Sequence, residues 1–205
     1  PEKKTVRYNG YHELSYLHPD YFTPSREIAL QNGLATEGDT FLIRLVSWKA
    51  SHDVGLKGWS LDLLDAVVDN LTSRGLVIIS AEGELPAHLE PLLYTGHTDQ
   101  IHHLIGYCRA VIGESATMAS EAVVMGVPAI YAATESRGYV DEQAERYRLA
   151  QVGPVERTSE ILDMIDEMLR VAREDIERSH QNLLDDTDDI VETIVAHLKF
   201  SYENL

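Results

Sequence analysis

The sequence predicts an α/β protein with a Rossmann-like, mainly parallel sheet flanked by helices and a helical C-terminal tail. Short apolar runs typical of buried strands alternate along the chain with segments whose apolar residues recur at helical spacing. A long helical stripe, without further strands, follows residue 158. Strands that are separated by helices pair in parallel, since each crossover returns the chain to the same edge of the sheet.

The chain has 205 residues, which fits one domain or half of a two-domain protein. Residues 1–24 are expected to be a lead-in segment between domains, because its prolines and scattered aromatic residues do not build a regular element. Residues 25–157 are expected to form the Rossmann-like domain. Residues 158–205 are expected to form helices that pack on it.

Apolar runs and helical periodicity place the elements of this domain in order. Strands are predicted at 40–46, 76–80, 110–112 and 128–132, with a weak strand near 92–95. Helices are predicted over 60–71, from 87, over 101–107, around 142–149, over 161–176 and over 190–198.

The charge of the chain is strongly acidic, with 34 acidic against 17 basic residues and a formal net charge of -17. Such a surface repels polyanions, so nucleic acid and anionic membranes are not expected as partners. No apolar run is long enough to span a bilayer and no signal-like stretch is present, so a cytoplasmic location is expected. The acidity is typical of halophilic, in particular archaeal, proteins, and an ordinary acidic mesophilic protein is the alternative.

The segment 113–130 is the most informative part of the sequence, because it predicts a strand, a tight turn, a helix and a second strand. In an open α/β sheet, ligands bind at the turn after a strand, where the helix N-terminus offers free N–H groups. Glu121 is the one acidic residue inside the predicted helix.

A second candidate is the loop after the first strand, which holds a local cluster of cationic side chains in an acidic protein. At a strand's carboxyl end these side chains can face a phosphate or a sugar, although an ordinary surface loop is equally consistent with the pattern. The cluster consists of Arg44, Lys49, His52 and Lys57. The histidines of the chain share no metal-ligand spacing, so no metal site is expected.

The motif Gly-x-Ser-x-x-x-x-x-Glu-Ala-x-x-x-Gly-x-Pro over residues 113–128 resembles the carboxyl-terminal half of GT-B nucleotide-sugar enzymes. It is most similar to the UDP-N-acetylglucosamine 2-epimerase group within that glycosyltransferase superfamily. Together with residues 8–19 and 47–53, it also resembles an uncharacterised prokaryotic family, the domain-of-unknown-function family numbered 354.

This resemblance implies that the chain is the C-terminal lobe of a GT-B fold that binds a nucleotide sugar. Ser115, Ala116 and Thr117, at the turn that follows Gly113, would meet the phosphates. Glu121 would accept hydrogen bonds from the ribose hydroxyls, because a carboxylate is an acceptor that can take two donors. The base would lie near Ile101 and His102.

One departure from the epimerase pattern matters for function. That group has a glycine pair and a Gln-Glu-Glu run where this chain has Ala116-Thr117 and Ala119-Ser120-Glu121. The ribose acid is kept while the tighter phosphate turn is altered, so nucleotide binding is better supported than epimerisation. The resemblance implies a nucleotide sugar, UDP-linked in the epimerase group, as the ligand, and no cofactor is expected. The resemblance favours the binding lobe of a glycosyltransferase or epimerase that needs an N-terminal lobe for catalysis. The catalytic residues and the oligomeric state stay unassigned.

Two alternatives from other functional classes remain. The first is a stand-alone nucleotide-binding module without chemistry. The second is a serine hydrolase, since Ser115 follows a strand as the nucleophile of an α/β-hydrolase does. Thr117 argues against the hydrolase, because the nucleophile elbow needs a small residue, normally glycine, at that position.

Overall fold

The computed structural model describes residues 7–46 and 58–203, with the side chains of 200–203 excepted. The described strands are β1 (Asp39–Leu45), β2 (Gly75–Ala81), β3 (Ala110–Gly113), β4 (Ala129–Ala132) and β5 (Ala150–Gly153). The described α-helices are α1 (Leu14–Leu17), α2 (Arg26–Gln31), α3 (Leu61–Thr72), α4 (Ile101–Ile105), α5 (Ala116–Val124), α6 (Gly138–Tyr147), α7 (Thr158–Arg170), α8 (Arg173–Asp186) and α9 (Ile190–Glu203). None of these helices is long and apolar enough to cross a membrane.

The five strands form one parallel sheet in the order β2-β1-β3-β4-β5, which confirms the predicted fold class. The chain moves outward from β1 to β2 and then returns to the other side of β1 as β3. This reversal is the topological switch point, where ligands of open α/β sheets bind beside the carboxyl ends of the strands. Arg44 at the end of β1 is paired with Gly113 at the end of β3.

Position 113 requires a glycine because β1 and β3 approach each other closely there. A Cβ atom at this position would lie 2.0 Å from the carbonyl oxygen of Arg44. The glycine of the motif therefore has a packing reason, independent of any ligand.

Helices cover both faces of the sheet, so its strands are almost continuously apolar. On one face, Phe41 and Ile43 of β1 pack in a cluster with residues of α3 and α7. On the other face, Leu42 packs in a cluster that α4, α5, α6 and α8 complete. The alternation along β1 thus divides the core into two layers.

The amino-terminal segment packs on this same domain. Tyr11, Leu14 and Leu17 are buried in the cluster that includes α5. The prediction that no regular element precedes residue 25 is wrong at α1. Helix α2 was also not predicted, and it is capped by Ser25, whose hydroxyl accepts from the amide of Ile28. Helices of six residues or fewer are marginal by themselves, so α1 depends on the burial of Leu14 and Leu17, and α2 has in addition the cap that Ser25 provides.

Further differences concern weakly patterned stretches. The α-helix predicted to begin at residue 87 is absent, and the described chain forms a short 3₁₀ helix at Glu90–Leu92 instead. The weak strand near 92–95 is reduced to one parallel bridge between Leu93 and Ile79. Strand β5 was missed, because only its two end residues are buried and its sequence gives little periodicity. The C-terminal tail is helical as predicted, with its long stripe divided between α7 and α8.

Candidate functional site

The turn between β3 and α5 presents a helix N-terminus at the switch point. Ser115 caps α5, because its Oγ accepts from the amide of Met118 at 3.2 Å. The amides of Ala116 and Thr117 belong to the first helical turn and have no intrahelical acceptor. Thr117 is exposed. This turn therefore offers amides and a hydroxyl to an anion.

Glu121 lies one turn further along α5, and its side chain is 12% exposed. The phenol of Tyr16 donates to Glu121 Oε1 at 2.9 Å. His102 Nε2 lies 3.1 Å from the same oxygen, but off the line of a hydrogen bond. Among the described residues no donor reaches Oε2, and Oε2 is not one of the fully buried atoms without a partner. One oxygen is thus held by the protein while the other stays open.

Tyr16 was not identified from the sequence. It precedes Glu121 by 105 residues, and α1 brings it to α5 by tertiary packing alone. Partial burial, and then the negative charge of Glu121, raise the pKa of Tyr16. The phenol therefore stays protonated and remains a hydrogen-bond donor.

A second buried acid, Glu13, lies at the start of α1 against the same helix. Burial raises the pKa of Glu13, the charge of Glu121 raises it further, and a hydrogen bond with Ser120 lowers it. The hydroxyl of Ser120 also accepts from Gln143 Nε2 at 2.9 Å. The charge of Glu121 thus acts on a second acid beside α5, which the sequence pattern did not indicate.

Glu114, in the turn itself, is buried and has a different environment. Its carboxylate accepts from the amide of Trp59 at 2.5 Å and from the amide of Val46 at 3.2 Å. Burial raises the pKa of Glu114, and these two hydrogen bonds lower it. A Cβ atom at Gly58 would lie 2.8 Å from Glu114 Oε1, so a glycine leaves room for the carboxylate. The position of Glu114 directly after a strand was the sequence feature that could have identified it, but Glu114 was not identified from the sequence.

The structure brings most of the predicted nucleotide site into one strand–turn–helix unit: Gly113, Ser115, Ala116, Thr117 and Glu121. His102 joins this unit through Glu121, while Ile101 is buried at the start of α4. Arg44 donates to Ser80 Oγ at 3.0 Å and forms an ion pair with Glu82, so its charge is already partnered. The remaining cations of the predicted loop, Lys49, His52 and Lys57, lie outside the described residues.

Two other kinds of site find no support in the described part of the chain. No histidine within residues 7–46 or 58–203 makes a hydrogen bond with Ser115, whose Oγ acts as a helix cap. Those residues also contain no group of three histidine, cysteine or acidic side chains placed to hold a metal ion.

Comparisons with known proteins find similarity in structure alone. The sequence matches no protein-family model and no curated protein. A protein from Listeria monocytogenes described as a UDP-N-acetylglucosamine 2-epimerase superposes with a TM-score of 0.59 at 15% identity, covering 95% of this chain and 52% of that chain. The calicheamicin glycosyltransferase gives 0.56 at 17% identity, covering 82% and 45%. The spinosyn rhamnosyltransferase gives 0.55 at 14% identity, covering 90% and 50%.

These similarities establish the fold, which is that of one lobe of GT-B proteins. The chain spans about half the length of the solved structures that it matches. At identities of 14% to 17% the similarity supports the architecture, while function has to be argued from the site.

Proposed function

We propose that this chain is the nucleotide-binding lobe of a GT-B-type enzyme that acts on nucleotide sugars. The observation that carries the proposal is Glu121, a sheltered carboxylate with one open oxygen, one helical turn from the switch point of the sheet. An acceptor-only group in that position suits a ribose diol, whose hydroxyls both donate.

The phosphates would bind at the turn before Glu121. The first-turn amides of α5 and the hydroxyls of Ser115 and Thr117 are the candidate donors, and the partial positive charge of the helix N-terminus favours an anion there. A base held near Ile101 and His102 would complete a nucleotide along one continuous surface, because His102 already contacts Glu121.

The proposed reaction is glycosyl transfer or epimerisation of a UDP-linked sugar, and it would be carried out by an enzyme that contains this lobe and a second one. In that arrangement an N-terminal lobe would supply the catalytic groups and the second wall of the cleft. Membership of the domain-of-unknown-function family 354, a halophilic archaeal origin and a cytoplasmic location belong to the same proposal. The acidic net charge of -17 supports the halophilic origin, since it suits solubility in concentrated salt.

Calorimetry with the purified chain in molar KCl tests the proposal. We expect UDP and UDP-N-acetylglucosamine to bind with similar affinity, because the nucleotide supplies the shared contacts. We expect Glu121→Gln to weaken both by about ten-fold to a hundred-fold, since a hydrogen bond to a charged group contributes about 1.5–3 kcal/mol.

The matched control is Glu145→Gln, because Glu145 is an exposed glutamate on a neighbouring helix, α6. Its substitution should leave both affinities unchanged. The proposal is wrong if wild-type protein binds neither nucleotide, or if Glu121→Gln binds as tightly as Glu145→Gln. Hydrolysis or epimerisation by this chain alone would instead show that no second lobe is needed.

A further inference from the structure

The geometry points to Tyr16 as a positioning residue that fixes the Glu121 carboxylate for recognition of the ribose 2′-hydroxyl. This inference rests on the proposed function, because it concerns how the same site distinguishes ribonucleotides from deoxyribonucleotides. It assigns a role in ligand discrimination to the amino-terminal segment, which lies far from the motif in sequence.

The contacts at Glu121 are divided unequally between its two oxygens. Tyr16 Oη donates to Oε1 at 2.9 Å, and His102 Nε2 lies 3.1 Å from that same atom. Oε2 receives no donor from the part of the chain that the structure describes. Because a carboxylate turns easily about its last torsion, two groups on one oxygen set the direction in which the other oxygen points.

The position of Tyr16 is set by the core. Leu14 and Leu17, on either side of it in α1, are buried in the cluster that contains α5. The Tyr16 ring meets the His102 ring edge to face, with centroids 6.1 Å apart. The phenol is thus delivered to Glu121 by a helix that is anchored on α5, although the residue itself is 39% exposed.

Pre-organisation of this kind affects the part of the ligand that Glu121 touches. With Oε1 occupied, Oε2 is the acceptor that faces the ribose hydroxyls, and its orientation requires no ordering when the ligand arrives. Loss of the phenol hydroxyl would let the carboxylate turn, so the contact with the 2′-hydroxyl would weaken. Contacts at the phosphate turn would be unaffected, because Ser115 and the first-turn amides do not depend on Tyr16.

The test compares UDP with 2′-deoxy-UDP by calorimetry for wild-type protein and Tyr16→Phe, which keeps the ring. We expect wild type to prefer UDP, and we expect Tyr16→Phe to reduce that preference about five-fold through weaker binding of UDP. Binding of 2′-deoxy-UDP, which has one ribose hydroxyl fewer to donate to Glu121, should weaken less than binding of UDP, and its retained affinity also reports that the variant is folded.

Tyr21→Phe is the matched control, because the Tyr21 phenol donates to another carboxylate, Asp189 Oδ2, at 2.5 Å. Its preference for UDP should equal that of wild type. Equal weakening of both nucleotides by Tyr16→Phe, or an unchanged preference, overturns the positioning role while the proposed function stands. Failure of wild-type protein to bind UDP overturns the proposed function, and this inference falls with it.

Discussion

The turn after β3 and the second turn of α5 each shelter one glutamate, but the two regions use their acids differently. Glu114 in the turn accepts from two backbone amides, those of Val46 and Trp59. Within residues 7–46 and 58–203, the contacts to Glu121 in the helix reach Oε1 alone and come from Tyr16 and His102. A carboxylate that stabilises the fold and one with an oxygen available to a ligand thus lie seven positions apart in one motif.

This difference teaches that burial alone does not identify a binding acid. Glu114 and Glu121 are 8% and 9% exposed, so exposure does not distinguish them. The partners do, since a carboxylate whose hydrogen bonds all go to backbone amides contributes to stability, and one with an unfilled oxygen can take a ligand. We therefore expect substitution of Glu114 to have the larger effect on stability and substitution of Glu121 to have the larger effect on nucleotide binding.

The largest expected effect is on stability. Glu114→Ala should lower the free energy of unfolding by about 3 kcal/mol, because it leaves the amides of Val46 and Trp59 without their acceptor. Glu121→Ala should cost only about 1 kcal/mol, since Tyr16 is exposed and its phenol can turn to water. Urea unfolding of the two variants beside wild type measures both values.

Glu114→Gln serves as the control for this comparison. It keeps one acceptor oxygen and should lose less stability than Glu114→Ala. If Glu121→Ala proves as destabilising as Glu114→Ala, the assignment of Glu114 to the fold and Glu121 to the ligand is wrong.

Much of the framework behind this comparison could be predicted from the sequence. β1 to β4, α3 and α5 carry strong apolar patterns, and Ser115 and Ser60 cap helices as serine does before an apolar run. Local signals of this kind act within a few residues. They identified the strand–turn–helix unit and Glu121 as the acid inside it.

What could not be predicted depends on contacts between distant segments. Tyr16 reaches Glu121 across 105 residues, and Glu114 reaches Trp59 across 55. No periodicity encodes such pairs, because they arise only when α1 and the end of β1 pack against α5 and its turn. Strand β5 was missed because its burial comes from its neighbours in the sheet, whereas α2 has a local signal, the serine cap at Ser25, ahead of a helix too short to show periodicity.

Surface charge and buried hydrogen bonds should differ in how strongly salt changes their contribution to stability. The free energy of unfolding should rise with KCl concentration, because salt screens repulsion between exposed acids. The rise should be smaller than the free energy of unfolding that Glu114→Ala loses. Buried hydrogen bonds are screened much less, so wild type and Glu114→Ala should rise in parallel. Urea unfolding over a KCl series checks both statements. Convergence of the two proteins at high salt would mean that Glu114 acts through surface charge, and a flat salt profile would remove the halophilic interpretation.

The smallest expected effect concerns Glu13, which faces Ser120 and Glu121 from α1. Burial raises its pKa in the folded chain above the ordinary value of 4.5, so the fold binds this proton more tightly than the unfolded chain does. Its contribution to stability is therefore complete below that ordinary value, and it is lost as the pH rises through the raised value.

Glu13→Gln carries no such charge and should be more stable than wild type at pH 7, by about 1 kcal/mol. The advantage should shrink as the pH falls towards 4, whereas exposed Glu145→Gln should show no advantage at either pH. Thermal unfolding at both values measures this difference. An advantage for Glu13→Gln that persisted in acid would mean that packing, and not the charge beside Glu121, accounts for it.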